Sequence, residues 1–131
     1  MKKLFLPLLA LLIAAAFTAC EETEPTAPDN SIYGSWLREI TDDTGNTFTA
    51  ELRFNSDDSY DWMVRGDAPG HTDSHAEIVL GDEQFTIVND ADCGGQGVYA
   101  FVVSSDRLAL VAVTDACAPR AAAIEGVWRK M

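Results

Sequence analysis

The sequence is poor in basic residues and in histidine, and it has no apolar run long enough to cross a membrane. Its 131 residues contain 9 Lys and Arg against 21 Asp and Glu, a formal net charge of −12. This balance argues against a nucleic-acid-binding protein, which needs clustered basic side chains for the phosphates. It also argues against electrostatic docking on anionic lipid. The apolar run at residues 4–17 is shorter than the roughly 20 residues of a transmembrane helix.

The motifs of catalysis are missing as well. The sequence has no GxSxG, no HExxH and no glycine-rich phosphate loop, so we expect neither an enzyme nor a cofactor. Two histidines are present. His71 and His75 flank Asp73, and in an extended chain the three side chains would share one side, as a metal site requires. The surrounding segment contains Gly and Pro, which favours a solvated polar loop.

The composition nevertheless predicts a folded chain. Hydrophobic residues make up 47% of the sequence, and Trp, Tyr and Phe number 3, 3 and 6. A disordered chain has far fewer aromatic residues. The length favours a single domain.

The first nineteen residues have the layout of a signal peptide: Lys2 and Lys3, an apolar middle, and small residues at the end. The end, FTAC, resembles the lipobox of bacterial lipoproteins, in which the cysteine is acylated and becomes the first mature residue. The resemblance implies a signal peptide at residues 1–19 and a lipid anchor on Cys20; the alternative is a plain secretory signal. Two or three acyl chains hold a protein stably on a bilayer, because each buried methylene contributes ~0.8 kcal/mol.

Residues 20–30 predict an acidic, flexible tether, since they contain two prolines and no large apolar residue after the cysteine. Acidic residues behind a lipidated cysteine also resemble the export signals of surface lipoproteins of the Bacteroidota type. The expected location is therefore the bacterial cell envelope, with a lipid anchor in the outer membrane. Both the periplasmic face and the cell surface remain open.

The other two cysteines predict a disulfide. If Cys20 carries lipid, Cys93 and Cys117 remain as an even pair in an oxidising compartment. The loop that they would close, about 25 residues long, corresponds to ~3 kcal/mol in the chain-entropy model. A metal or redox pair is the alternative, but the sequence has no CxxC spacing to support it.

Residues 31–131 predict eight short strands, because polar and apolar residues alternate between turn-forming clusters. The predicted strands are 34–40, 47–55, 59–65, 74–80, 83–89, 97–104, 107–114 and 124–130, with one short helical turn after Pro119. We expect a type II′ turn at Gly81-Asp82. The pattern favours an all-β domain, either a sandwich or an antiparallel up-and-down barrel.

A short internal repeat bears on that choice. Gly34-Ser35-Trp36 and Gly126-Val127-Trp128 stand at opposite ends of the domain, one in the first strand and one in the last. In a closed barrel these two strands would pair at a seam.

The first of these elements resembles the Gly-x-Trp signature of lipocalins. The second half of the chain, with Cys93, Asp115-Ala116-Cys117 and Arg120, resembles small bacterial lipocalin-like domains. The resemblance implies a small eight-stranded calycin-type barrel with one disulfide. It also implies structural roles for Gly34, Trp36, Arg120 and Trp128, with Arg120, or Arg129 behind it, packed on the ring of Trp36. The chain is much shorter than full-size lipocalins and lacks their long C-terminal helix.

The aromatic residues of the strands would either fill such a barrel or line a small apolar cavity. The candidate ligand-binding residues are Trp36, Phe48, Phe54, Tyr60, Trp62, Tyr99 and Phe101. Both alternatives stay open at this point.

Three functions follow as hypotheses. The first is a membrane-anchored lipocalin-like lipoprotein that binds a small apolar or amphipathic ligand. The second is a packed barrel that acts as a structural or protein-interaction module of the envelope, through the polar loops at 66–74 and 90–96. The third is a protease inhibitor that acts through residues 21–32. The expected partners are the lipid bilayer, a small ligand and an envelope protein.

Overall fold

The computed structural model describes residues 31–131. The predicted signal peptide, the acylation of Cys20 and the acidic tether lie outside the described residues. The elements are β1 (Gly34–Thr41), β2 (Thr47–Asn55), β3 (Ser59–Arg65), β4 (Ser74–Leu80), β5 (Gln84–Asp90), β6 (Gly97–Ser104), β7 (Arg107–Asp115), α1 (Ala118–Ile124) and β8 (Gly126–Lys130). Within residues 31–131, no helix is long and apolar enough to cross a bilayer.

The eight strands form a closed antiparallel barrel in which each strand pairs with its neighbours in sequence. The first and last strands close the barrel, with Trp36 opposite Lys130 and Leu37 opposite Arg129. The predicted all-β, eight-stranded up-and-down barrel is therefore confirmed, and the Gly-x-Trp strands do meet at its seam. Within residues 31–131, closure leaves no strand edge free for pairing with another chain.

The up-and-down order divides the connections between two ends of the barrel. At one end lie the turn 42–46, the loops 66–73 and 91–96, and α1; we call this the helix end. The opposite end carries residues 31–33 and the turns 56–58, 81–83 and 105–106.

The interior is packed with inward-facing side chains of all eight strands. Phe85, near the start of β5, is one of these side chains and is 1% exposed. Its ring centroid lies 5.1 Å from that of Phe54, 5.4 Å from that of Tyr99 and 6.3 Å from that of Phe101. Offset and edge-to-face aromatic pairs of this kind contribute about 0.5–1.5 kcal/mol each beyond their buried area.

The repeat in the two seam strands is longer than Gly-x-Trp: both copies read Ile-x-Gly-x-Trp. In the first copy the Nε1 of Trp36 donates to the carbonyl of Ile32 at 2.8 Å, and in the second Trp128 donates to Ile124 at 2.9 Å. Both Trp rings are fully buried, and both Ile side chains are 2% exposed. Ile32 precedes β1 at the end opposite α1, and Ile124 precedes β8 at the helix end. Each copy of the repeat therefore places a buried isoleucine at one end of the barrel.

A cation from the other seam strand lies against each of these Trp rings. The guanidinium of Arg38 in β1 is 4.8 Å from the ring centroid of Trp128, and the ammonium of Lys130 in β8 is 5.6 Å from that of Trp36. Arg38 also donates to the carbonyls of Ala122 and Glu125 at the end of α1. The seam is thus fixed by reciprocal cation–π contacts as well as by its ladder.

Three expectations from the sequence are wrong in detail. Arg120 does not pack on Trp36; that place is taken by Lys130, and Arg120 forms the ion pairs described below. Strand eight begins at Gly126 rather than at residue 124, because Ile124 ends α1. Gly81 does not adopt the positive φ of a type II′ turn; the turn is closed by a hydrogen bond from its N–H to the carbonyl of Gln84 at 2.7 Å.

The predicted disulfide is confirmed. Cys93 and Cys117 are bonded, with their Cα atoms 5.9 Å apart and 24 positions apart in sequence. The bond joins the loop between β5 and β6 to the residue that precedes α1. It therefore fixes α1 to the loop beside it at the helix end.

Candidate ligand site at the helix end

Two neighbouring pockets open at the helix end of the barrel. Their volumes are about 330 and 280 Å³, and Trp62, His71 and Ala123 line both. The larger pocket is also lined by Tyr60, Gly70, Thr72, Ser74, Asp90, Asp92, Cys93, Arg120 and Ile124. The smaller pocket is also lined by Ile40, Thr41, Asp42, Asp43, Phe48, Pro119 and Ala122.

Arg120 forms one wall of the larger pocket, and its charge is neutralised. Its Nε and Nη2 donate to the two carboxylate oxygens of Asp115 at 2.8 and 2.7 Å, and its Nη1 donates to Asp90 at 3.2 Å. The side chains of all three residues are at most 4% exposed. Further hydrogen bonds to the carbonyls of Cys93 and Gly95 fix the loop between β5 and β6. Arg120 thus holds β5, β7, α1 and this loop together.

This cluster shifts the ionisation of its members. Burial opposes the ionisation of Asp115, but hydrogen bonds from Arg120, from the hydroxyl of Tyr99 and from the backbone N–H of Cys117 outweigh it, and the pKa of Asp115 falls to about 2. The hydrogen bonds to Asp115 raise the pKa of Arg120. Burial and the contact with Asp115 raise the pKa of Tyr99. The guanidinium of Arg120 and the carboxylate of Asp115 are therefore charged at neutral pH.

His71 separates the two pockets and connects two loops. Its ring packs on Phe48, with the centroids 4.4 Å apart, and its Nε2 lies 3.1 Å from a carboxylate oxygen of Asp42. Asp42 also accepts hydrogen bonds from Thr44 and Asn46 within its turn. The hydrogen bonds from Thr44 and His71 lower the pKa of Asp42. The contact ties the loop 66–73 to the turn 42–46.

Trp62 is the aromatic residue common to both pockets. It is 7% exposed, and its indole N–H is the one buried side-chain polar group of residues 31–131 without a hydrogen-bond partner. Burying an N–H donor without an acceptor is unfavourable, and most buried donors in proteins are paired. The seam residues Trp36 and Trp128 satisfy this rule through backbone carbonyls. Trp62 is the exception, and it lies at the pocket walls.

The candidate ligand-binding residues divide into two groups in the structure. Phe48, Tyr60 and Trp62 line the pockets. Trp36, Phe54 and Tyr99 lie in the packed interior at 2% exposure or less, and Phe101 packs against it. The interior around Phe85 is therefore packed, and two open pockets lie at the helix end.

The side chains of His71, Asp73 and His75 do not converge on one point. His75 faces outward and contacts Asp61 at 2.6 Å, while Asp73 accepts a hydrogen bond from the backbone of Val64 at 2.9 Å. His71 contacts Asp42 instead. Among residues 31–131, no group of three or more His, Cys, Asp or Glu side chains could hold a metal ion.

Several pocket residues carry no signal in the sequence, because their partners in the site are distant along the chain. His71 and Asp42 are 29 positions apart, and Arg120 and Asp90 are 30 apart. Only the closed barrel brings them together, so no local motif could reveal these pairs. The one signal in the sequence is the pair of polar loops at 66–74 and 90–96, whose residues line part of the larger pocket.

Comparisons of the chain with family models, curated proteins and solved structures give no significant match. The site is therefore interpreted from its own chemistry.

Proposed function

We propose that the protein is a lipid-anchored binding protein of the bacterial cell envelope that takes up a small amphipathic molecule at the helix end of its barrel. The observation that carries this proposal is the pair of pockets that share Trp62 and His71. Small-molecule sites are concave, mostly apolar clefts with a few polar groups, and their volumes start near 300 Å³.

The lining of the pockets supports an amphipathic ligand. The apolar wall consists of Ile40, Phe48 and Trp62, and the polar groups come from Asp42 and His71. The packed interior around Phe85 limits how deep a ligand can reach. A long acyl chain would not fit, whereas a compact ring system with a short polar arm would.

The lipid anchor rests on the sequence of residues 1–20, with Cys20 directly behind small residues. It is tested independently of ligand binding, by metabolic labelling with an alkyne fatty acid. We expect label on the native chain and none on the Cys20→Ser variant. Label on both proteins would overturn the anchor.

Ligand binding is tested with Cys20→Ser protein that is exported, purified without detergent, and titrated with Nile red. Ala123→Phe should fill the space between the pockets and abolish saturable dye fluorescence. Ala109→Phe is the matched control, because Ala109 lies between Val102 and Val127 on neighbouring strands, away from both pockets. Equal dye binding by all three proteins would place the site elsewhere, and no binding by any of them would refute the function.

A further inference from the structure

We propose that the ligand of the helix-end pockets is an organic cation, with a compact apolar body and an ammonium group. This inference rests on the proposed function and specifies the charge of the molecule that the pockets take.

Carboxylates outnumber basic groups in the pocket walls. Asp42, Asp43, Asp90 and Asp92 line the pockets, against Arg120 and His71. Arg120 is already neutralised by Asp90 and by Asp115 behind it. His71 is paired with Asp42. The walls therefore carry net negative charge, which favours a cation and disfavours an anion.

Two of these carboxylates are available to a ligand. Asp43 and Asp92 are exposed at the rims of the smaller and larger pocket. Among the described residues, neither carboxylate accepts a hydrogen bond or forms an ion pair. Each pocket thus has one acceptor that can receive an ammonium group from a ligand with its apolar body inside.

The apolar part of the walls is aromatic, which also suits a cation. Trp62 and Tyr60 line the larger pocket, and Trp62 and Phe48 line the smaller one. An ammonium group over an aromatic face is attracted by the ring's quadrupole, and the attraction increases when water is excluded. A cation at this position would be favoured by the ring faces and by the nearby carboxylates together.

Trp62, which belongs to both pocket walls, also leaves its indole N–H without a hydrogen-bond partner among the described residues. Trp62 is more than nine-tenths buried. A hydroxyl, ether or carbonyl oxygen on the ligand would supply the acceptor that the protein lacks. We therefore expect an amine that also carries an oxygen acceptor to bind best.

The test compares three competitors with one common body: 4-phenylbutylamine, 4-phenylbutanol and 4-phenylbutanoate. Each displaces Nile red from the Cys20→Ser protein at pH 7. We expect the amine to bind at least about tenfold tighter than the alcohol, the carboxylate to bind weakest, and the advantage of the amine to shrink as salt is raised.

Asp43→Asn with Asp92→Asn should reduce the affinity for the amine to that of the alcohol, and leave the alcohol unchanged. Asp82→Asn with Asp106→Asn, in two turns at the opposite end, removes the same number of charges and should leave the amine's advantage intact. If the alcohol or the carboxylate binds as tightly as the amine, the cation inference fails and the ligand-binding function stands. If the dye itself does not bind, both fail.

Discussion

Removing the charge of Arg120 should destabilise the barrel more than removing any exposed arginine. In Arg120→Met the side chain keeps its length and apolar stem but leaves Asp90 and Asp115, which are 4% and 0% exposed, without their cation. Breaking a buried ion pair on one side costs about 3–5 kcal/mol. Since small domains are stable by about 5–15 kcal/mol, this loss should be easily measured by urea unfolding.

The control is Arg107→Met, because Arg107 is exposed and forms no ion pair among the described residues. We expect the unfolding free energy of this variant to be within about 0.5 kcal/mol of that of the native protein. Arg120→Lys keeps the charge but cannot donate to both oxygens of Asp115. Its unfolding free energy should therefore lie between those of Arg120→Met and Arg107→Met. It also keeps the comparison possible if Arg120→Met does not fold. Equal unfolding free energies for Arg120→Met and Arg107→Met would refute the assigned role.

The pH dependence gives the same test a second readout. The pKa of Asp115 is lowered from 3.8 to about 2 in the folded protein. A lowered pKa stabilises the fold above the unfolded value, and this contribution is lost as the pH falls from about 4 to about 2. The loss corresponds to about 2 kcal/mol for this group. In Arg120→Met the buried carboxyl has no guanidinium, so this loss should vanish and the two proteins should converge at low pH. A constant difference across the pH range would contradict the argument.

Three further outcomes are expected from urea unfolding. Cys93→Ala with Cys117→Ala should lower the unfolding free energy by about 3 kcal/mol, because the double substitution opens the loop that the disulfide closes. Reduction of the native protein should have the same effect, and an unchanged unfolding free energy on reduction would contradict this. Glu51→Gln should cost about 1–2 kcal/mol at pH 7, since its carboxylate is 1% exposed beneath two half-exposed arginines. Burial opposes the ionisation of Glu51, but hydrogen bonds with Ser35, Arg65 and Arg53 outweigh it and lower its pKa. The cost of the substitution should therefore shrink in acid, and a cost independent of pH would contradict this reasoning. Gly126→Ala should lower the unfolding free energy more than Gly34→Ala. Both glycines have positive φ, but only at Gly126 would the new Cβ meet Arg38. Equal losses would mean that Arg38 moves aside freely.

Strand positions could be predicted almost to the residue because alternation and turn residues agree along most of the chain. Strands β2, β3, β4 and β6 have the predicted bounds. The one substantial error is at Ile124. Its spacing from Gly126 and Trp128 fits a strand, yet it is the buried last residue of α1. Alternation alone cannot separate these cases, since the helix is only seven residues long and contains Pro119.

The candidate site was predictable only in its aromatic part. Phe48, Tyr60 and Trp62 follow from inward-facing positions on strands. Whether an inward aromatic residue fills the core or lines a pocket depends on neighbours from distant strands, as Phe54 and Tyr99 show by packing around Phe85. Arg120 is a similar case, because the lipocalin-like resemblance implied packing on Trp36, whereas Arg120 forms ion pairs with Asp90 and Asp115.

The described chain starts at the opposite end of the barrel, where the buried side chain of Ile32 accompanies the entry into β1. A group attached at Ser31, such as a purification tag or a chip surface, would therefore join the barrel at the end opposite the openings beside α1. Immobilisation through this terminus should leave both pockets facing the bulk solution. Attachment through one of the helix-end loops would obstruct them.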